Sequence, residues 1–166
     1  MSRFKYKFVL HQAYTHYAFN CNLNWREVGK SANVSTRTLQ KYFSNTQRLS
    51  TTLVDYHLEY LNHFYTAYKV DKRDDRSEQF RLVSTLIKRN QASYQFTENA
   101  WRTNLAGRGK EIKESHLNYI RNAMLNGGVN KQKLYPEMVF NFWLNPIPAG
   151  EKGKELLFHW MTWFMK

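Results

Sequence analysis

Asn24-Trp25-Arg26-Glu27-Val28-Gly29-Lys30-Ser31-Ala32-Asn33-Val34-Ser35-Thr36-Arg37-Thr38-Leu39-Gln40-Lys41-Tyr42-Phe43 predicts two short helices joined by a tight turn. Asn24 is an N-cap residue type, and Val28 lies one turn inside the first helix on the same side as Trp25. Asn33 tolerates the left-handed backbone that a sharp inter-helix turn requires, and Ser35 can cap a second helix starting near Thr36. On that second helix Leu39 and Phe43 share a face at i and i+4 and pack inward with Val28 and Val34. Thr36, Arg37, Gln40 and Lys41 are left outward, and these are residue types that read base edges and bind phosphates.

Charge concentrates around this segment. Residues 1–50 hold eight basic residues (Arg3, Lys5, Lys7, Arg26, Lys30, Arg37, Lys41, Arg48) against one acid, Glu27, a surplus of seven out of a net charge of +12. A basic segment attracts DNA by neutralising phosphates and releasing counterions, whatever the sequence. Arg3, Lys5 and Lys7 are either a frayed terminus or an arm that reaches the backbone or minor groove.

Outward from the segment the pattern is helical throughout, and nothing reads as a strand. A first helix is expected over about 3–19, with Phe4, Phe8, Ala13 and Tyr17 in an apolar stripe. A longer helix starts after Asn45 or Thr46 and runs to about Tyr68, with Leu49, Leu53, Tyr56, Phe64 and Tyr68 recurring along it as a rigid connector. The polar run 70–76 is expected as a loop. Beyond it come a helix capped by Ser77 with Phe80, Val83, Leu86 and Ile87, and a separate helix between Gln91 and Leu105. Gly107 and Gly109 interrupt; Glu111–Leu125 is helical and Gly127-Gly128 ends it. Two last helices, about 131–144 and 150–165, flank Asn145-Pro146-Ile147-Pro148. The expected fold class is all-α: a three-helix DNA-binding domain over 1–45, then a connector and helical bundle forming a regulatory and dimerisation domain over 46–166.

The 166 residues suffice for a real core. The single cysteine, Cys21, precludes an intramolecular disulfide and fits a reducing cytosol at the end of the first helix. The longest apolar run, Leu156–Met165, is interrupted by His159 and Thr162 and falls short of the ~20 residues of a spanning helix. A soluble cytoplasmic protein with no membrane partner is expected. Asp71, Asp74, Asp75 and Glu78 sit among basic neighbours in a polar loop, unlike an acid/base or two-metal site. The six histidines lack ligand spacing, and no glycine-rich phosphate loop exists. No enzyme, metal or cofactor is expected; a nuclease is the enzymatic alternative.

Val28-Gly29, Ala32-Asn33-Val34-Ser35, Thr38-Leu39, Tyr42-Phe43, Asn45 and Leu49 together resemble the DNA-binding domain of TetR-type bacterial transcription regulators, over roughly residues 8–55. The chain departs from that pattern at Gln40, where the family usually has tyrosine, at Thr46, where it often has lysine, and at Asn33, where it has glycine. The resemblance implies that Thr36, Arg37, Gln40 and Lys41 face the major groove. It also implies that Ser35, Thr38, Tyr42 and the N-cap region around Asn24 and Trp25 lie against phosphates, with Tyr42, Lys41 and Arg48 substituting for the missing phosphate contacts. The chemistry is sound by itself, since arginine can pair with guanine and glutamine with adenine.

The same resemblance implies a homodimer on a palindromic operator, repression, and a small lipophilic or aromatic effector. Tyr94, Trp101, His116, Tyr119 and His159 combine apolar bodies with polar tips and suit an effector pocket, although aromatics at helical spacing are more often plain core. Phe140, Trp143, Leu156, Trp160, Trp163 and Phe164 offer more apolar area than two small helices need and are candidates for the dimer interface. The alternative is a non-catalytic DNA-bound adaptor or architectural protein whose aromatic C-terminal surface recruits another protein.

Overall fold

Six helices carry the described part of the chain: α1 (Arg3–Asn20), α2 (Trp25–Ala32), α3 (Thr36–Phe43), α4 (Thr46–Ala67), α5 (Arg76–Thr103) and α6 (Gly109–Asn126), with a single 3-10 turn, Leu105–Gly107, before α6. They are seen in a computed structural model that describes residues 3–67, 76–126 and 140, and no strand occurs among them. The fold is all-α, and no helix of the described residues is long and apolar enough to cross a membrane.

The chain forms two compact units, one of 1–61 with 92–114 and the other of 62–91 with 115–166. The unit that holds residues 1–45 thus runs on to Leu61 and takes in Ala92–Glu114, so the contacts do not divide at residue 45.

In the first unit α1 contributes Val9, Leu10, Ala13, Tyr14, Tyr17 and Ala18 to the core, a spacing of three and four residues that keeps them on one face. They meet Val28 and Ala32 of α2, Leu39 and Phe43 of α3, Leu49, Leu53 and Val54 of α4, Phe96 and Ala100 of α5, and Ile112 of α6. The inward placement of Val28, Leu39 and Phe43 agrees with the sequence pattern.

Several polar side chains inside this unit pair across long stretches of chain. The Tyr14 hydroxyl lies 2.9 Å from His57 Nδ1, and His57 Nε2 lies 2.8 Å from Thr97 Oγ1. Phe96 stacks on the Tyr14 ring at 4.6 Å. Burial pushes the Tyr14 phenol well above its usual range, so it stays neutral. Asn99 Nδ2 donates to the Ala18 carbonyl (2.9 Å) in the last turn of α1, where helix carbonyls lack intrahelical partners, and at 3.4 Å to that of Tyr17, which also accepts from the Cys21 N–H at 2.9 Å. Tyr17 pairs its hydroxyl with Thr103 Oγ1 at 2.7 Å. Thus the last turns of α5 hold the end of α1, and Cys21, with φ +54°, accepts from Arg102 at 3.6 Å just beyond it.

In the second unit Tyr65 of α4 stacks on Tyr119 of α6 at 5.4 Å, nearly parallel, and Tyr119 donates to Asn62 Oδ1 at 3.1 Å. His116 is fully buried beside the Tyr65 hydroxyl (3.3 Å) and the edge of Phe140 (5.4 Å).

The expected break between two helices around residue 91 does not occur, because α5 is one helix of 28 residues. Its sequence from Ser77 to Thr103 contains no glycine or proline. Lys88, Arg89 and Gln91, just where the second helix was expected to begin, are residue types that propagate helices well. The expected helices over 131–144 and 150–165 lie outside the described residues except at Phe140, which is helical.

Candidate nucleic-acid interface

The turn between α2 and α3 is built by capping. Asn24 Oδ1 accepts from the Arg26 backbone N–H at 2.9 Å and starts α2. Asn33, at φ 51° and ψ 46°, ends it. Its N–H reaches the Lys30 carbonyl (3.2 Å) and the Val34 N–H reaches the Gly29 carbonyl (2.9 Å), the paired bonds of a Schellman cap. Asparagine thus takes the left-handed conformation for which glycine is the usual residue.

Gly29 has a different reason to be glycine. A Cβ there would lie 2.7 Å from the Val34 carbonyl oxygen, a backbone atom that cannot step aside without opening the turn. Ser35 Oγ then accepts from the Thr38 N–H at 3.1 Å and also meets Thr38 Oγ1 at 2.9 Å, starting α3.

This construction sorts the expected contact residues into two groups. Thr36, Arg37, Gln40, Lys41 and Arg48 are exposed, and Arg37, Lys41 and Arg48 make no ion pair among the described residues. Asn24, Ser35 and Thr38 spend their side chains on the caps just described. Trp25 is half-buried and donates its indole N–H to Thr46 Oγ1 at 2.9 Å, tying the start of α2 to the start of α4. What these four offer a phosphate is helix-terminal N–H dipole rather than a free side chain.

Tyr42 departs from its expected role. Its hydroxyl is buried without a hydrogen-bond partner among the described residues. Its ring packs edge-on against Tyr6 of α1 at 5.5 Å. In this conformation it is a packing residue, not a phosphate contact.

Two further candidates lie beside the expected set. Arg26 and Lys30, i and i+4 on α2, line an open cleft of about 430 Å³ with Gly29, Asn33, Val34, Ser35 and Thr36. They put two cations beside the N-terminus of α3, where helix dipole and free N–H groups also favour an anion. The signal was their spacing, a basic pair one turn apart on the helix preceding the outward-facing one. Glu27, the one acid of residues 1–50, is 3.6 Å from His16 Nε2.

The expected effector-pocket residues fall in different parts of the chain. Tyr94 and Trp101 belong to the first unit, His116 and Tyr119 to the second, and His159 lies outside the described residues. Tyr94 is buried, but Trp101 is 47% exposed rather than interior, with Lys113 Nζ 3.7 Å from its ring centroid. His116 is enclosed, and burial pushes it down to about 3, so it is neutral in the folded chain. Phe140, expected at a dimer interface, is fully buried against His116 and fills the core of its own unit. Trp143, Leu156, Trp160, Trp163 and Phe164 lie outside the described residues.

No family model and no curated protein matches this chain.

Proposed function

We propose that the chain is a sequence-specific DNA-binding transcription regulator in which α3 enters the major groove, with α2 and the start of α4 on the backbone. The observation that carries the reading is the outward row Thr36, Arg37, Gln40 and Lys41 on α3. It is flanked by Arg26, Lys30 and Arg48, with no acid pairing any of these cations among the described residues. Unneutralised cations beside a residue pair able to read guanine and adenine are what duplex recognition needs. The resemblance of residues 8–55 to TetR-type regulators supports the same reading and extends it. By that resemblance the chain acts as a cytoplasmic homodimer on a palindromic operator, as a repressor released by a small effector, with no catalytic role.

Titration with duplex DNA across a range of salt concentrations tests this. Log affinity should fall linearly with log salt, by about 0.9 per phosphate neutralised, and Arg37→Ala should lose preference at one base pair per half-site while Lys41→Ala weakens all sequences alike. Equal loss on every sequence for both variants would contradict the assigned roles.

A further inference from the structure

α1 is apolar on two faces. Its inner face fills the core, yet Phe4 is 81% and Phe8 45% exposed, i and i+4 on the opposite side of the same helix. Next to that row runs a second i, i+4 pair, Arg3 and Lys7, both exposed. Two like charges so placed repel each other and weaken a helix, and an exposed phenylalanine pair supports it only slightly. Neither Arg3 nor Lys7 has an acid partner among the described residues. No acid occurs before Glu27, so the exposed face of α1 complements an anionic surface that also offers apolar contact.

The position of this face relative to α3 is fixed by packing within one unit. Tyr6, on the turn that carries Phe4 and Lys7, packs ring to ring on Tyr42 (5.5 Å) and Phe43 (5.7 Å) at the C-terminal end of α3. The N-terminal turns of α1 therefore adjoin the end of α3 that carries Lys41. The helix begins at Arg3, so these residues are a rigid helical face rather than a trailing arm.

We infer that the first two turns of α1 are a second nucleic-acid contact, holding the duplex backbone beyond the segment faced by α3. Arg3 and Lys7 neutralise phosphates, and Phe4 lies against the apolar edge of the sugars. This rests on the proposed DNA-binding function and adds to it a contact that carries affinity without sequence preference.

The test uses the full chain, the double variant Arg3→Gln/Lys7→Gln, Phe4→Ala, and a mixed-sequence duplex, with affinity measured against salt. The double variant should lose on the order of tenfold in affinity at near-physiological salt and lower the salt slope by about two. Phe4→Ala should lower affinity with the slope unchanged, because an apolar contact releases no counterion. With the wild-type chain, trimming the duplex at its ends should reproduce the slope of the double variant, a result that needs no substitution. An unchanged slope and affinity in the double variant would overturn the inference. So would a double variant that binds duplex normally but no longer sediments with phosphatidylserine vesicles, which would make the face a lipid contact. Loss on Arg37→Ala without loss on Arg3→Gln/Lys7→Gln would overturn this contact alone. A wild-type chain that binds no duplex would remove the DNA reading with it.

Discussion

The α2–α3 and α5–α6 connections use the same backbone device and opposite chemistry. Each turns on an asparagine in the left-handed region, Asn33 at φ 51° and Asn104 at φ 50°, and each has a glycine where two backbones nearly touch. A Cβ at Gly29 would lie 2.7 Å from the Val34 carbonyl oxygen, and one at Gly109 2.8 Å from that of Ala100. The side chains differ. Around α5–α6 most cations pair with acids: Arg108 holds Glu111 through two bonds (2.7 and 2.8 Å) and Asp55 at 2.6 Å, and Lys113 reaches Glu98 at 3.5 Å, while Arg102 donates to Asn99 and Cys21 instead. Around α2–α3 none of Arg26, Lys30, Arg37 and Lys41 has an acid partner among the described residues. This contrast between paired and open charge is what the proposed DNA-binding reading rests on.

The largest effect that separates the two regions concerns His116, further along α6. It is neutral in the folded chain down to about pH 3, whereas in the unfolded chain it takes up a proton below about 6.5. Below that value the unfolded state binds more protons, so stability should fall as pH drops, by about 1.4 kcal/mol per unit. Between pH 6.5 and 4.5 this amounts to about 2 kcal/mol, because the slope is only half developed at pH 6.5, and it is read by urea unfolding. His116→Gln should flatten the dependence. An equally steep fall in the variant would assign it to other groups.

The shared backbone device predicts a shared penalty. Gly29→Ala and Gly109→Ala should each destabilise by about 1 to 3 kcal/mol, because the added methyl meets backbone rather than a movable side chain. A neutral Gly29→Ala would mean that the turn opens without loss, and the fixed placement of α3 would go with it.

Charge should separate what backbone does not. Arg108→Ala should cost up to about 1 kcal/mol of stability, because its partners Asp55 and Glu111 are largely exposed, and leave DNA affinity alone. Arg37→Ala should leave the melting temperature alone and remove about 1 to 3 kcal/mol of discrimination at one base pair. If both changed stability and neither changed binding, the contrast between open and paired charge would be structural only.

The smallest effect belongs to Asn33→Gly. Both residues accept the left-handed conformation, so stability should shift by no more than about 0.5 kcal/mol, and a larger loss would point to a role for the asparagine side chain in the cleft.

What was legible in the sequence was local. Asn24, Asn33 and Ser35 mark caps and a turn by short-range hydrogen bonding, and the inward set Val28, Leu39 and Phe43 follows from spacing alone. The continuity of α5 was not legible, because a polar run on one helix resembles a boundary between two. Nor was the embrace of α1 by Asn99, Thr103 and Arg102, which joins residues about eighty positions apart and leaves no periodic trace. Tyr42 shows the limit within the site itself. Its type suits a phosphate contact, but the packing of Tyr6 decides where its hydroxyl goes.

Selection of bound sequences from a random duplex pool at near-physiological salt, followed by salt titration of the winner and a scrambled control, tests the central claim most directly. The account predicts a two-fold symmetric consensus, with the winner bound far more tightly than the control. Enrichment of no sequence, with equally steep salt dependence on both duplexes, would contradict base reading by α3 and leave only a basic surface that holds the DNA backbone.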